Sequence, residues 1–205
     1  MSEEKFSRET VLSVRRWCDT LFSFTLTRPA HFRFSAGQFA RLGIEVVAAD
    51  GTVERVFRAY SVVSSPFAET LEFFSIVVPD GAFTSRLQHL QVGDTLLLEK
   101  IAYGFLTLAR FQQPAPHDLW LLATGTGLAP FLSILQDFAP WQQYRDIVLA
   151  YSVRSAAEGI AAVSKATEEA RAAAGAVDVA AGSLSGEVAR LNGIVEDLLR
   201  KMRSA

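Results

Sequence analysis

The sequence predicts a small antiparallel β barrel, then a parallel β-α-β unit, then a long C-terminal helix. Three observations lead there. Between residues 9 and about 110, short segments alternate apolar and polar residues and are separated by turn sequences. Between 117 and 154 the apolar runs become unbroken and flank a Gly-rich turn. From residue 159 the chain turns Ala-rich, with apolar residues three and four apart.

In the first segment, "TLFSFTLTRP" alternates with period two, as a half-buried strand does. "QFARLGIEVV", "RAYSVVS", "LEFFSIVVP" and "DTLLLEK" follow, each short and rich in β-branched or aromatic residues. Between them stand "SAGQ", "AADGT", "SSPFAE", "PDG" and "VGD", all turn chemistry. Many short strands at this spacing predict a barrel. One interruption, "FTSRLQHL", has helical spacing through Phe83, Leu87 and Leu90, with Thr84 or Ser85 as its cap.

In the second segment "LWLLATG" shows no alternation and reads as a strand buried on both faces. "TGLAPFLSILQDF" is a Gly-rich turn opening a helix, with Pro130 in the first turn. "DIVLAYSVR" is a second buried strand, completing one β-α-β unit. In the third segment Ile160 starts a seam running through Val163, Thr167, Ala170, Ala174 and Val177 to Leu198 and Met202. A register kept this long predicts a coiled-coil-like helix, weakened by Gly175, Gly182, Gly186 and Gly193. The expected domains are 1–112, 113–158 and 159–205.

Composition narrows the function classes. Half of the 205 residues are hydrophobic and 20% are charged, which describes a globular chain and not a disordered one. A net charge of −2 lends no support to nucleic-acid or membrane-surface binding. The single cysteine, Cys18, excludes an internal disulfide framework, and beside Trp17 it reads as a small buried hydrophobe. No segment has the roughly 18 uninterrupted apolar residues of a membrane span. The expectation is a cytoplasmic protein. Aromatic residues and prolines all lie before residue 152, so composition itself marks a boundary near 155–160.

Three motifs could carry chemistry. "RAYS", Arg58 to Ser61, heads a strand. Arginine can clamp a pyrophosphate bidentately, Tyr60 two residues along shares its face and offers a planar ring, and Ser61 adds a hydroxyl. An exposed Arg and a core Tyr on an ordinary strand would read the same. "PDGAFTSRL" leads a turn into a helix start whose backbone N–H groups suit a phosphate, although an ordinary capped helix fits equally. "ATGTGLAP" places small residues between a buried strand and a helix, the usual nucleotide position in a parallel sheet. It lacks the GxGxxG fingerprint, and a tight structural turn also explains it. Arg154 ends the next strand facing the same crevice. His31, His89 and His117 are scattered without ligand spacing, so no metal is expected.

In this order and spacing, "FRAYSVVSSP", "LEFFSIVVPDGAFTSRLQHLQVGDTLLL", "YGFLTL", "LWLLATGTGLAPFLSIL" and "IVLAYSVRSAAE" closely resemble the bacterial ferredoxin/flavodoxin–NADP reductases, from about residue 9 to Glu158. The resemblance implies a six-stranded antiparallel Greek-key barrel holding FAD and a parallel α/β domain holding NADP(H). It implies that Arg58 binds the FAD pyrophosphate with Ala59 beside it. Tyr60 would stack on the isoalloxazine and Ser61 would lie near its N5, the two forming the catalytic pair. Phe74, Ser75, Ile76 and Val77 would line the flavin pocket. Ala82, Phe83 and Thr84 would meet the phosphates. Gly125, Thr126 and Gly127 would lie near flavin and nicotinamide, and Val153 and Arg154 would reach the NADP(H) phosphates. The implied partner is ferredoxin or flavodoxin.

A complete reductase continues for about another hundred residues beyond "SVRSAAE", as domain sizes lead one to expect. From about Gly159 this chain instead resembles the C-terminus of a methyl-accepting chemotaxis receptor, without that family's hairpin tip. The leading expectation is therefore a reductase-type flavoprotein with an incomplete NADP(H) domain and a foreign tail. The alternative is a non-catalytic scaffold that self-associates through its tail.

Overall fold

The computed structural model describes residues 5–48, 50–78, 81 and 83–153. Ala82, Arg154 and the expected helix over 159–205 lie outside the described residues.

Six antiparallel strands form one curled sheet in the order β4-β3-β6-β1-β2-β5. They are β1 (Phe6–Arg16), β2 (Leu21–Thr27), β3 (Phe39–Val47), β4 (Val53–Ser61), β5 (Thr70–Ile76) and β6 (Thr95–Glu99). The curl begins in β1. Its first half pairs with β6, from Phe6↔Glu99 to Thr10↔Thr95, and its second half with β2, from Val11↔Leu26 to Arg16↔Phe22. A register irregularity between Val11 and Ser13 marks where it changes direction, as a bulge does. Charged Arg8, Glu9, Arg15 and Arg16 hide this strand from a pattern search. Glu9 is nonetheless buried, and accepts a hydrogen bond from the Thr27 hydroxyl at 2.6 Å.

The two ends of the strand order meet. Val62, just past β4, bridges to Phe73 of β5, and the Val63 N–H donates to the Glu72 carbonyl at 2.8 Å. Inside the curl, Phe22, Phe24, Phe32, Phe73, Leu42 and Leu98 form the core. The alternation read in "TLFSFTLTRP" is less regular than expected, because Leu21 to Phe24 are all buried. The helix in "FTSRLQHL" is α1, Thr84–Leu87, with Phe83 and Leu87 buried. Its cap position is Phe83 and not Thr84 or Ser85, and no side chain caps it.

The parallel unit comprises β7 (Asp118–Thr124), α2 (Ala129–Leu135), α3 (Phe138–Gln143) and β8 (Asp146–Ser152). The strands pair from Asp118↔Asp146 to Thr124↔Ser152. Pro130 stands in the first turn of α2, where its missing N–H costs nothing. The single expected helix is two, since Asp137 is extended and accepts from the Ala139 N–H at 3.1 Å to start α3. The expected burial of β7 on both faces needs correction. Leu119, Leu121 and Ala123 are buried, whereas Trp120 and Leu122 are 63% and 68% exposed. Among the described residues, helices cover one face only. Cys18 is also only half-buried, with its sulfur 3.5 Å from the Thr20 hydroxyl.

The two units are joined at the segment just after β4. Val63 and Phe74 pack against Ala123, Leu128, Ala129 and Leu132. The Ser133 hydroxyl donates to the Ser64 carbonyl at 2.7 Å. The Gln136 side chain donates to the Val63 carbonyl at 2.8 Å and accepts from the Ser65 N–H at 3.1 Å. This amide binds the chain as a neighbouring strand would. A second close approach needs glycine: Gly37 has φ of +94°, and a Cβ there would collide with the Leu106 carbonyl.

Candidate functional site

The ladder joining β4 to β5 stops at the Val62–Phe73 bridge, and beyond it the two strands part. The gap opens as a cleft of about 480 Å³. Arg58, Ala59, Tyr60 and Ser61 line one side, and Phe74, Ser75 and Ile76 the other. Thr126 and Gly127, from the turn after β7, close it from the parallel unit. Phe83 and Thr84 complete the lining.

Backbone alternation explains why four consecutive residues face one cleft. The Val62 N–H donates to the Gln38 carbonyl, and β4 pairs with β3 through Ala40↔Tyr60. Even-numbered residues here turn their backbone groups to β3, so Ala59 and Ser61 turn theirs toward β5. The side chains of Arg58 and Tyr60 share one face. Backbone from two residues and side chains from the other two thus reach the same space.

Tyr60 is held firmly. Its ring lies edge-on to Phe24 at 6.2 Å and to Phe73 at 6.4 Å, and tilts against Phe83 at 5.8 Å. Its hydroxyl is 3.0 Å from the buried Ser75 hydroxyl, a side-chain bond across the parted strands. Burial raises its pKa above the ordinary phenol value, against opposing effects of the Ser75 bond and the Arg58 charge. The phenol is therefore neutral at physiological pH. Arg58 is exposed, and one Nη donates to the Phe57 carbonyl at 2.8 Å.

The helix start borders the cleft through Phe83 and Thr84. Phe83 is a core side chain, 2% exposed. The Thr84 hydroxyl donates to the Val78 carbonyl at 3.2 Å, closing its own loop. Gly81 leaves room for this, since a Cβ there would stand 2.5 Å from that hydroxyl.

A second cleft of about 460 Å³ adjoins the first, and Ile76 and Thr126 wall both. Val77, Gly125 and Val153 line the second cleft and not the first. Sequence reasoning missed Val78, Gly81 and Ala129 in the first cleft, and Thr20, Leu21, Thr124, Tyr151 and Ser152 in the second. Thr20 enters from the β1–β2 turn and Leu21 from the start of β2, where no motif stands. Tyr151 could have been found, because it ends a parallel strand beside the Gly-rich turn, where ligands collect. His31, His89 and His117 line neither cleft.

Residues 14–100 match the family model of the oxidoreductase FAD-binding domain. The chain is 49% identical over 150 residues to a ferredoxin–NADP reductase of Pseudomonas aeruginosa, covering 73% of this chain and 55% of that protein. It is 46% identical over 149 residues to ferredoxin–NADP reductase A of Sorangium cellulosum, covering 73% and 51%. A ferredoxin NADP+ reductase from Neisseria gonorrhoeae with bound FAD and NADP shares the fold with a TM-score of 0.71 and 42% identity, over 77% of this chain and 61% of that one. The chain spans about half the length of the curated relatives it matches. Residues 14–100 are thus similar to the oxidoreductase FAD-binding domain, in a chain that is similar to ferredoxin–NADP reductases over about three quarters of its length.

Proposed function

We propose that FAD lies in the cleft between β4 and β5, and that the chain serves an oxidoreductase moving electrons between NADP(H) and ferredoxin or flavodoxin. The observation that carries this reading is the convergence of Arg58, Tyr60, Ser61, Phe74 and Thr126 on one cleft from three separate elements. The residues fit the cofactor. A flavin needs a flat apolar wall with polar groups at its edge, and Tyr60 and Phe74 supply the first, Ser61 and the β4 backbone the second. Its pyrophosphate needs charge-assisted donors, which the guanidinium of Arg58 provides. When bound, a flavin supplies the conversion of two-electron hydride chemistry into one-electron steps.

The chain's own part is to bind, orient and keep dry. Arg58 would anchor the phosphates at the outer end of the cleft. Tyr60, fixed by Ser75 and by three aromatic rings, would present its ring as a neutral wall with little freedom to lose on binding. Ser61 would turn its backbone groups to the reactive edge. Gly125 and Val153 would receive the nicotinamide nucleotide in the adjoining cleft, and Gly127 would meet it from the first.

The test is FAD titration of the apoprotein, followed by quenching of flavin fluorescence. Loss of a charge-assisted clamp is worth on the order of 2–3 kcal/mol, so Arg58→Ala should weaken FAD about 30- to 150-fold. Equal affinities would remove Arg58 from the site. A wild-type protein that takes up no FAD would end the reading.

A further inference from the structure

Two features beside the flavin cleft meet at one atom. Gly125, the first residue after β7, has φ of +50°, in the left-handed region. The Tyr151 hydroxyl, from the last turn of pleat in β8, donates to the Gly125 carbonyl at 3.0 Å. Gly125 opens a short 3-10 helix, Gly125–Leu128, with a left-handed φ that glycine adopts readily, so its peptide sits at the junction of strand and helix. The next residue is Thr126, the wall shared by both clefts. A shift of the Gly125 peptide at this junction would move that wall.

Tyr151 is well based to prevent this. Its ring packs against the cluster that includes Val63, Phe74 and Leu128, and its backbone is paired across from Ala123. The phenol oxygen therefore reaches the carbonyl from a rigid strand. The C=O and N–H of one trans peptide point in opposite directions, so holding the carbonyl also fixes the amide of Thr126. We infer that Tyr151 is a positioning residue: by holding the Gly125 carbonyl it sets Thr126 between the two clefts, and so sets how a nicotinamide dinucleotide in the second addresses the flavin in the first. The inference rests on the cofactor placement proposed above. Tyr151 acts through Thr126 and takes no part in the electron transfer itself.

The experiment uses the full chain loaded with FAD, titrated with NADP+ while the flavin absorbance spectrum is followed. Tyr151→Phe keeps the ring and deletes the donor. It should raise the half-saturating NADP+ concentration about three- to tenfold, the effect of one neutral hydrogen bond, while FAD affinity changes by less than about twofold. Thr126→Ala, made in both backgrounds, should give non-additive effects, since one residue works through the other. Equal half-saturation in wild type and Tyr151→Phe would overturn the inference and leave the cofactor placement standing. So would strictly additive effects, or a loss of FAD affinity equal to the loss for NADP+, which would mark a general structural role. A wild-type spectrum that does not respond to NADP+ would overturn the placement and this inference together.

Discussion

Arg58 and Tyr60 show how much one residue's meaning depends on its neighbours. Both were legible in the sequence, because "RAYS" joins a cation, a ring and a hydroxyl at period-two spacing. The bond from Tyr60 to Ser75 was not legible, since Ser75 reaches it across a seam between strands 15 residues apart. A similar long-range arrangement governs Glu45. Its carboxylate accepts from Arg8 at 2.9 and 3.0 Å and from Arg55 at 3.1 Å, which lowers its pKa from 4.5 to about 2. A carboxyl depressed by folding contributes stability above its unfolded value near 4.5. That contribution is lost as pH falls through about 2. Carbon-detected NMR titration should find the Glu45 midpoint near 2, and Arg55→Ala should move it upward. An unmoved midpoint would show that the Arg55 bond is not formed in solution. The group is exposed, so salt should weaken the effect.

At the scale of elements, the decisive contact lies between α2 and the segment after β4. Residues 63–65 leave the barrel carrying backbone groups that no strand satisfies. Gln136 and Ser133 satisfy them. Gln136→Leu would leave a buried carbonyl and an N–H without partners, at a cost of about 1–3 kcal/mol. Urea titration should show the midpoint falling accordingly, whereas Gln136→Glu, which keeps one acceptor, should fall less. A Leu variant as stable as the wild type would mean the clamp is dispensable. The sequence announced α2 through its Pro130 and its apolar spacing. It gave no sign that a glutamine at the end of that helix would stitch two units together, because an amide has no periodic signature. Strand β1 was hidden for a related reason. Each half serves a different partner, and the bulge between them breaks the alternation a single pairing would impose.

For the molecule as a whole, the sheet β7–β8 is asymmetric among the described residues. Leu121 is 1% exposed, and its neighbour Leu122 is 68% exposed. Leu121→Ala should cost about 2–5 kcal/mol through lost transfer energy and a residual cavity. Leu122→Lys should stay within about 0.5 kcal/mol, as surface substitutions do. Denaturant midpoints of the two variants decide the matter, and a Leu122→Lys protein that unfolds would show that the outer face is covered in solution. Uninterrupted hydrophobicity in "LWLLATG" predicted burial on both sides. The pattern records what a strand tolerates, while burial is decided by what packs on it.

By itself the sequence determined the change of grammar near residue 117, the strand-rich segment before it, the β-α-β unit after it and the three motifs. Each is a local property, written in periodicity, turn residues and short-range spacing. Tertiary structure alone decided that "RAYS", residues 74–76 and the Gly-rich turn share one cleft, and that a second cleft begins at Thr126. The reason is the strand order. Strands β4 and β5 are consecutive in the chain yet stand at opposite ends of the sheet, and they meet only because the sheet curls through a full turn. Their ladder ends at Val62 and Phe73, and where it ends the cleft begins. No window of the sequence contains that geometry, since it depends on the summed twist of six strands.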